Sequence, residues 1–421
     1  MYRAAQPKNV FTVHEEKSSK GLMQPGDGCS RIFWLFPEKY KRKKAELGGP
    51  YMSSARGIPT NQAFMIMMLT AGLTNHVMII PVLLEKSGRD AWITILVSAV
   101  LFMPWVLLVY GIIKKVGSRS IKQALDESSG KSARMLAMGM SGLYFFAFAF
   151  YTLKEVIDWT KSTYMVQTPV IATAFVLMML CLISINHGIR TIGVSAGILL
   201  PCVVLLGIFV SVSNLKVKNY SFLLPVLEEG FMPVLSGIPT MFGGLSQFIL
   251  ILFLRPHLQK KPGFLTILLI HLVLIFLTFG PTIGGIAEFG PEEMKFQRYP
   301  AYEQWRLVKL GKFVEHVDFL SIFQWLSGAY ISISISIFLL CETLLPKSRQ
   351  SVGVLAVSTL LVILCASPIS NLKMYYAMAD YFLPASAVYI TILSLLLFFL
   401  IRKPQQQEPQ DASTTKGETP Q

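Results

Sequence analysis

Long apolar runs alternate with short polar connections along most of the chain, from Gln62 to Ile401. A membrane-spanning helix needs about 20 consecutive, mostly apolar residues, whereas a soluble helix keeps a polar face. The runs reach this length, so the pattern predicts an all-α integral membrane protein with about ten transmembrane helices. The predicted spans are Gln62–Leu84, Ala91–Ile113, Met135–Leu153, Val166–Ile185, Thr191–Val212, Met232–Leu254, Phe264–Ile286, Phe319–Leu345, Val352–Ala366 and Tyr381–Ile401.

The first and sixth spans each contain a short interruption of the same kind. Both read small residue, glycine, leucine, hydroxyl residue and carboxamide residue. The first is Ala71, Gly72, Leu73, Thr74 and Asn75, and the second is Gly243, Gly244, Leu245, Ser246 and Gln247. Glycine is costly inside a helix, and hydroxyl and amide side chains can bond backbone groups that lose their helical partner. Because unwound backbone survives in a membrane only inside the protein or beside a cavity, both segments are predicted to unwind at a ligand site.

The spacing of the two interruptions divides the ten spans into two halves of five. Because five is odd, the second half would insert with the opposite orientation, which is the inverted-repeat design of many secondary transporters. The first and sixth helices would then both be broken near the middle of the bilayer. The alternative is two unbroken helices whose glycines serve close packing.

Composition supports a membrane protein and places its charge. Hydrophobic residues make up 53% of the chain and charged residues 15%, below the roughly 25% of soluble domains. Residues 1–57, with eleven Lys/Arg and five Asp/Glu, contribute +6 of the net charge of +14, and much of the rest falls in alternate short loops, such as the one containing Lys114, Lys115 and Arg119. This distribution follows the positive-inside rule, so it predicts a lipid bilayer partner and cytoplasmic termini rather than nucleic-acid binding.

The two ends of the chain differ from the spans. Residues 1–57 form a basic segment without a signal-peptide pattern, and residues 403–421 are predicted to be a disordered cytoplasmic tail. Residues 1–51 are either a basic tail near anionic lipid or upstream sequence that is not translated in the native protein. The second hypothesis places the start at Met52, because the codons of Gly48-Gly49-Pro50-Tyr51-Met52 can contain a GGAGG ribosome-binding sequence, a short spacer and a start codon. The transmembrane domain is then 58–402.

Several stretches within 58–402 match one known pattern in order and spacing. They are Ile58-Pro59-Thr60-Asn61-Gln62, Gly88-Arg89-Asp90-Ala91-Trp92-Ile93, Thr168-Pro169, Leu224-Pro225-Val226-Leu227-Glu228-Glu229-Gly230 and Arg298-Tyr299-Pro300 with the following Arg306 to Glu315. Together they resemble the spore germination permease family, the GerAB-like B subunits of nutrient germinant receptors. The resemblance implies membership of the amino acid–polyamine–organocation superfamily and a LeuT-like fold of two five-helix repeats.

The chain departs from the family pattern at three places. Relatives often have Gly-x-Gly in the first helix, an acidic residue near Gln247, and in some cases a lysine near Ser332. These departures bear on the ligand and on ion coupling rather than on the fold.

The predicted site takes its chemistry from the interruptions. Free N–H groups at a helix end favour a carboxylate and free carbonyls favour an ammonium, so a small zwitterion such as an amino acid fits. The resemblance implies that the third and eighth helices complete the walls, which adds Tyr144 and Ser332. Aromatic packing and serine bonding within the helix are the alternatives for these two residues.

Charged residues are almost absent from the predicted spans, which argues against a proton-coupled pump. His76 and His271 are the titratable residues in mid-span, and each is expected to be neutral and hydrogen-bonded. No motif of an enzyme is found, the five cysteines form no CxxC pair, and no cofactor or metal site is predicted.

Together with these features, the resemblance implies a nutrient-sensing subunit of a spore germination receptor, which binds a small molecule such as an amino acid and triggers germination. The resemblance implies receptor A and C subunits as partners and the inner membrane of the spore as location. An amino-acid secondary transporter of the same superfamily and a structural scaffold without a ligand remain as alternatives.

Overall fold

A computed structural model describes residues 57–309 and 316–402, and these residues form helices joined by short connections. We number the α-helices in chain order. They are α1 Thr60–Leu73, α2 Ile79–Ser87, α3 Ala91–Leu101, α4 Met103–Val116, α5 Ile121–Thr163, α6 Val170–His187, α7 Ile189–Ser213, α8 Met232–Leu245, α9 Leu250–Leu254, α10 Phe264–Phe289, α11 Pro291–Phe296, α12 Pro300–Arg306, α13 Leu320–Leu344, α14 Gln350–Cys365, α15 Asn371–Tyr376 and α16 Leu383–Leu400. The predictions for residues 1–51, for the start at Met52 and for the tail 403–421 lie outside the described residues.

Nine helical stretches in the described part of the chain are long and apolar enough to cross a membrane. The first stretch, Thr60–Val116, has 57 residues, which at 1.5 Å per residue is more than twice the ~30 Å of a bilayer core. It turns at Gly88, where φ is +54°, a backbone conformation that favours glycine. The stretch therefore has the length of two of the ten predicted spans. The chain is a multi-pass, all-helical membrane protein.

Two stretches form the centre of the bundle. In Met232–His257, 83% of the most apolar 18-residue segment is buried inside the protein, and in Leu320–Leu344 the buried share is 72%. In most of the other stretches this share is 17–39%. The helix α13 packs against α1, α5, α6 and α7, and α8 packs against α2, α3 and α16. Lipid-facing helices keep one apolar side exposed, whereas these two are enclosed by protein on nearly all sides.

The two predicted interruptions change helical pitch instead of unwinding. After α1, residues Thr74–Met78 form a π-helical turn, in which the N–H of Ile79 donates to the carbonyl of Thr74. After α8, residues Ser246–Ile249 form a 3₁₀ turn, and the N–H of Ser246 donates to Gly243. The prediction of unwound segments is therefore wrong. The backbone groups find partners through a wider or a tighter turn, which avoids bare polar groups in hydrocarbon.

The third predicted span, Met135–Leu153, is part of a longer helix in the structure. The helix α5 begins with a capping box, because Ser120 Oγ accepts from the N–H of Gln123 and Gln123 Oε1 accepts from the N–H of Ser120. It bends at Gly130, where φ is +80°, and continues to Thr163. This extension carries charged residues inside the helix that the predicted span did not contain.

Candidate ligand-binding site

Asn75 joins the two pitch changes. Its side chain is fully buried, and Nδ2 donates to the carbonyl of Ala71 at 2.7 Å and to the carbonyl of Gly244 at 3.0 Å. A π-turn frees carbonyls that an α-helix would use, and a side-chain amide can satisfy them. The single amide group therefore ties the end of α1 to the end of α8. We call the contact between Thr74–Met78 and residues 243–249 the junction.

A second amide contact crosses the junction in the opposite direction. Gln247 Nε2 donates to Thr74 Oγ1, and Thr74 Oγ1 approaches Met78 Sδ at 3.8 Å. Both residues are buried. The two hydrogen bonds run between segments about 170 residues apart in the chain and close the junction from both sides.

Tyr144 attaches α5 to the same place. Its hydroxyl group lies 2.8 Å from Ser246 Oγ, and Ser246 Oγ donates to the carbonyl of Gly243 at 2.5 Å. The Tyr144 ring stacks with Phe148 at a centroid distance of 6.2 Å. The expected wall residue on the third span is therefore in contact with the second interruption.

Glycines allow the helices to approach. A Cβ added at Gly243 would lie 2.4 Å from the carbonyl oxygen of Leu383, and one at Gly244 would lie 2.8 Å from Asn75 Oδ1. At Gly72 the nearest atom would be Leu277 Cδ1 at 3.4 Å, an ordinary contact. The packing role that small residues play in membrane helices thus applies to Gly243 and Gly244 but not to Gly72.

The junction retains two buried hydrogen-bond acceptors. Within the described residues, Asn75 Oδ1 and Gln247 Oε1 are buried and have no hydrogen-bond partner. A cavity of about 10 Å³ adjoins Ser246, between Phe102, Trp105 and Phe242, which is near the minimum for one water molecule. The junction is therefore closed to a larger ligand in this conformation, and its free oxygens suit a hydrogen-bond donor.

Most of the predicted site residues meet at the junction. They are Ala71, Thr74, Asn75, Gly243, Gly244, Ser246, Gln247 and Tyr144. Gly72 and Leu73 instead line a larger cavity of about 500 Å³. Ser332 is buried on α13, and its hydroxyl has no partner among the described residues, so nothing links it to the junction.

The larger cavity is lined by α1, α7, α10, α12 and α13. Its polar lining includes Lys218 and Glu288, whose side chains form an ion pair with Nζ and Oε1 3.5 Å apart. Both residues lie outside the predicted spans, because the seventh predicted span ends at Ile286, whereas α10 continues to Phe289 and includes Glu288. The sequence does show a lysine and an acidic residue at the ends of apolar runs, but it does not show that the two side chains pair, because their pairing depends on tertiary structure.

The structure contains more buried charge than the predicted spans indicated. On α5, Lys154 Nζ pairs with Asp158 at 2.6 Å, and Glu155 Oε1 accepts from Arg298 Nη2 at 2.5 Å. The prediction of almost no charge in the spans depended on the third span ending at Leu153. Because α5 continues past this point, these residues become part of the helix interior.

The two histidines of the spans are hydrogen-bonded, as expected. His76 Nδ1 lies 3.1 Å from the carbonyl oxygen of Leu277, and His271 Nε2 lies 3.1 Å from that of Ala99. A carbonyl accepts only from a ring N–H, so the ring nitrogen that faces the carbonyl carries a proton in each histidine. No group of three or more metal-ligating side chains occurs among the residues described.

A comparison with known families identifies the chain. The sequence profile for spore germination proteins of the permease type matches residues 57–373. The protein belongs to this family. Spore germination protein XB of Bacillus anthracis is 37% identical over 343 residues, which cover 81% of this chain and 96% of that relative.

More distant relatives come from Bacillus subtilis (strain 168). Spore germination protein KB is 23% identical over 294 residues, covering 68% of this chain and 77% of its own. Spore germination protein A2 is 21% identical over 333 residues, covering 75% and 87% respectively. The resemblance stated for the sequence is thus confirmed at the level of the family, which is of a permease type and not a family of enzymes.

Proposed function

We propose that this protein is the nutrient-sensing subunit of a spore germination receptor and that the junction is its ligand-responsive element. The observation that carries the proposal is the buried pair of amide oxygens, Asn75 Oδ1 and Gln247 Oε1, in a hydrogen-bonded contact between two pitch changes. A small donor-rich molecule such as an amino acid would supply the missing hydrogen bonds through its ammonium group.

Because the junction is closed, a ligand can bind there only if the two helices move apart. The ~10 Å³ cavity beside Ser246 has no room for an amino acid, so binding there requires α1 and α8 to separate. A ligand that binds only the separated conformer shifts the equilibrium toward it, and a tenfold preference corresponds to about 1.4 kcal/mol. This coupling of occupancy to helix position is what a sensor needs.

The wider arrangement belongs to the same proposal. The spans form two inverted repeats of five in the LeuT-like manner, with the junction between the first and sixth. The protein lies in the inner membrane of the spore with cytoplasmic termini, and receptor A and C subunits transmit its conformational change. Ser332 and the cavity-lining Gly72 and Leu73 would reach the ligand after α1 moves.

Replacing Asn75 with alanine tests the proposal. Asn75→Ala removes both Nδ2 hydrogen bonds and the free oxygen, so spores should need at least about tenfold more nutrient for half-maximal germination. Asn61→Ala is the matched control, because Asn61 is exposed at the start of α1. The measurement is the loss of optical density of spores given amino acids, nucleosides and sugars, with the membrane level of the protein checked by immunoblot.

Equal germination of the two variants at equal protein level would refute the role of the junction. The permease alternative is separated by uptake of isotope-labelled amino acids into liposomes that contain the purified protein. Accumulation above protein-free liposomes would assign transport to this chain instead of sensing alone.

A further inference from the structure

The cavity of about 500 Å³ shares one helical turn with the junction. Leu73 and His76 line the cavity, whereas Thr74 and Asn75, which lie between them in sequence, contact the end of α8. Small-molecule sites in proteins commonly measure about 300–1,000 Å³, so this cavity has a suitable size. Unlike the closed junction, it offers space for a ligand in the present conformation.

One end of the cavity is polar and built around an ion pair. The side chains of Lys218 and Glu288 are 6% and 1% exposed, and the Lys218 ammonium also donates to the carbonyl of Ser211 at 3.2 Å. The N–H of Asn219, the next residue, donates to the carbonyl of Ala287 at 2.7 Å. This backbone bond fixes the lysine beside α10.

The ion pair can accept a further charged partner. Glu288 Oε2 is buried and has no hydrogen bond of normal geometry within the described ranges, although the side-chain amides of Asn214 and Gln304 lie close enough to interact with the carboxylate. Glu288 lines the cavity. A buried carboxylate favours charged donors over neutral amides, and an ammonium group of a ligand would supply one. Lys218 has three N–H donors, so one remains for an anionic group.

Most of the remaining wall is apolar. Met68 and Leu69 of α1, Val203 of α7 and Leu277 of α10 line the cavity beyond the polar end. A ligand that fits has opposite charges close together at one end and an apolar group at the other. This combination is the chemistry of an apolar α-amino acid.

We infer that this cavity binds a zwitterion with an apolar side chain, with its ammonium on Glu288 and its carboxylate on Lys218. The inference rests on the proposed function and names the ligand class and the place of first binding. His76 then provides the link to the junction, because its ring lines the cavity and is bonded to α10 through Leu277. A ligand that displaces His76 also displaces the turn that holds Asn75.

The same chemistry occurs in a lipid headgroup. Val204, Ile208 and Phe276 line the cavity and are 45%, 55% and 69% exposed on spans α7 and α10, so the cavity opens toward the bilayer. Phosphatidylethanolamine carries an ammonium and an anionic phosphate on an apolar body. A free amino acid and this lipid are therefore two sources of one ligand chemistry.

Calorimetric titration of the purified full chain in nanodiscs of phosphatidylglycerol tests the inference. The probes are L-leucine, 4-methylpentanoate, which lacks the ammonium, and 3-methylbutylamine, which lacks the carboxylate. L-leucine should bind, and each one-charge analogue should bind at least about tenfold more weakly, or about 1.4 kcal/mol. Glu288→Gln and Lys218→Met should weaken L-leucine binding by the same factor.

Matched controls come from the same segments. Glu292→Gln and Lys216→Met remove exposed charges close to the pair and should change the affinity less than about twofold. Each single variant of the pair leaves a buried charge alone and can fail to fold. The double variant Lys218→Met with Glu288→Gln removes both charges, so it supplies the measurement in that case.

The outcomes separate this inference from the proposed function. Equal binding of L-leucine and its analogues, no binding of L-leucine, or no effect of the double variant would overturn the cavity site. If Asn75→Ala still raises the nutrient concentration needed for half-maximal germination, the junction proposal survives that result. L-leucine binding can also be weaker in phosphatidylethanolamine nanodiscs than in phosphatidylglycerol nanodiscs because the lipid competes for the site. If this difference between the two lipids disappears in Glu288→Gln, the site is supported and is assigned to the lipid.

Discussion

Alanine at Gly243 should damage the protein far more than alanine at Gly72, although both glycines belong to the same sequence pattern. The Cβ of Gly243→Ala would lie 2.4, 2.7 and 2.8 Å from the O, C and Cα atoms of Leu383. These are backbone atoms of the first turn of α16, which cannot rotate away as a side chain does. The start of α16 and the end of α8 must therefore move apart.

The magnitude follows from the packing. Overpacking in a close-packed interior costs about 1–3 kcal/mol, and a contact with backbone belongs at the upper end. At Gly72 the nearest atom is a leucine methyl carbon at 3.4 Å, so no movement is needed. Alanine there gains about 0.5–1 kcal/mol of helix stability. The two variants should differ by about 3–4 kcal/mol.

Thermal unfolding in detergent, followed by the fraction that elutes as monodisperse protein after heating, measures the difference. We expect Gly72→Ala to match or exceed the wild type and Gly243→Ala to lose folded protein at a clearly lower temperature. If the two unfold at the same temperature, the close approach of α8 and α16 is not a packing constraint and the argument fails.

Two further predictions concern polar contacts. Tyr144→Phe removes the 2.8 Å contact with Ser246 and should lower stability by about 1 kcal/mol in the same thermal assay, with a larger loss contradicting a single neutral hydrogen bond. Arg298→Ala leaves the Glu155 carboxylate, which is 4% exposed, without its partner and should cost about 3–5 kcal/mol in chemical denaturation. Arg306→Ala is the control, because Arg306 is 60% exposed and its loss should cost less than about 0.5 kcal/mol; equal losses would contradict burial as the cause.

The buried charges change the view of the protein as a nearly uncharged sensor. Arg298 lies over the rings of Tyr299 and Tyr375 at 4.5 and 4.3 Å and bonds Glu155 of α5. This arrangement connects the segment before α12 to α5 and α15. It is a structural reason for the Arg-Tyr part of the stretch that carried the family resemblance, because Arg298 bonds α5 and the Tyr299 ring packs against Trp325 of α13.

The pattern of glycine and amide residues located the junction but not its conformation. The sequence predicted interruptions at residues 71–75 and 243–247, and Asn75 and Gln247 are indeed residues that connect the two segments. It did not show whether the helices unwind, widen or tighten. That choice depends on which acceptors lie across the interface, and these come from the other segment.

The sequence by itself determined the membrane class, the approximate spans and the family, because hydropathy over about 20 residues is a local property that the bilayer enforces directly. Only the tertiary structure decided which of the similar glycines is a packing contact, which polar residues meet, and where space remains. Asn75 and Gly244 are 169 residues apart in the chain, and Lys218 and Glu288 also lie on different elements. Such contacts depend on how helices pack against one another, which no local pattern encodes.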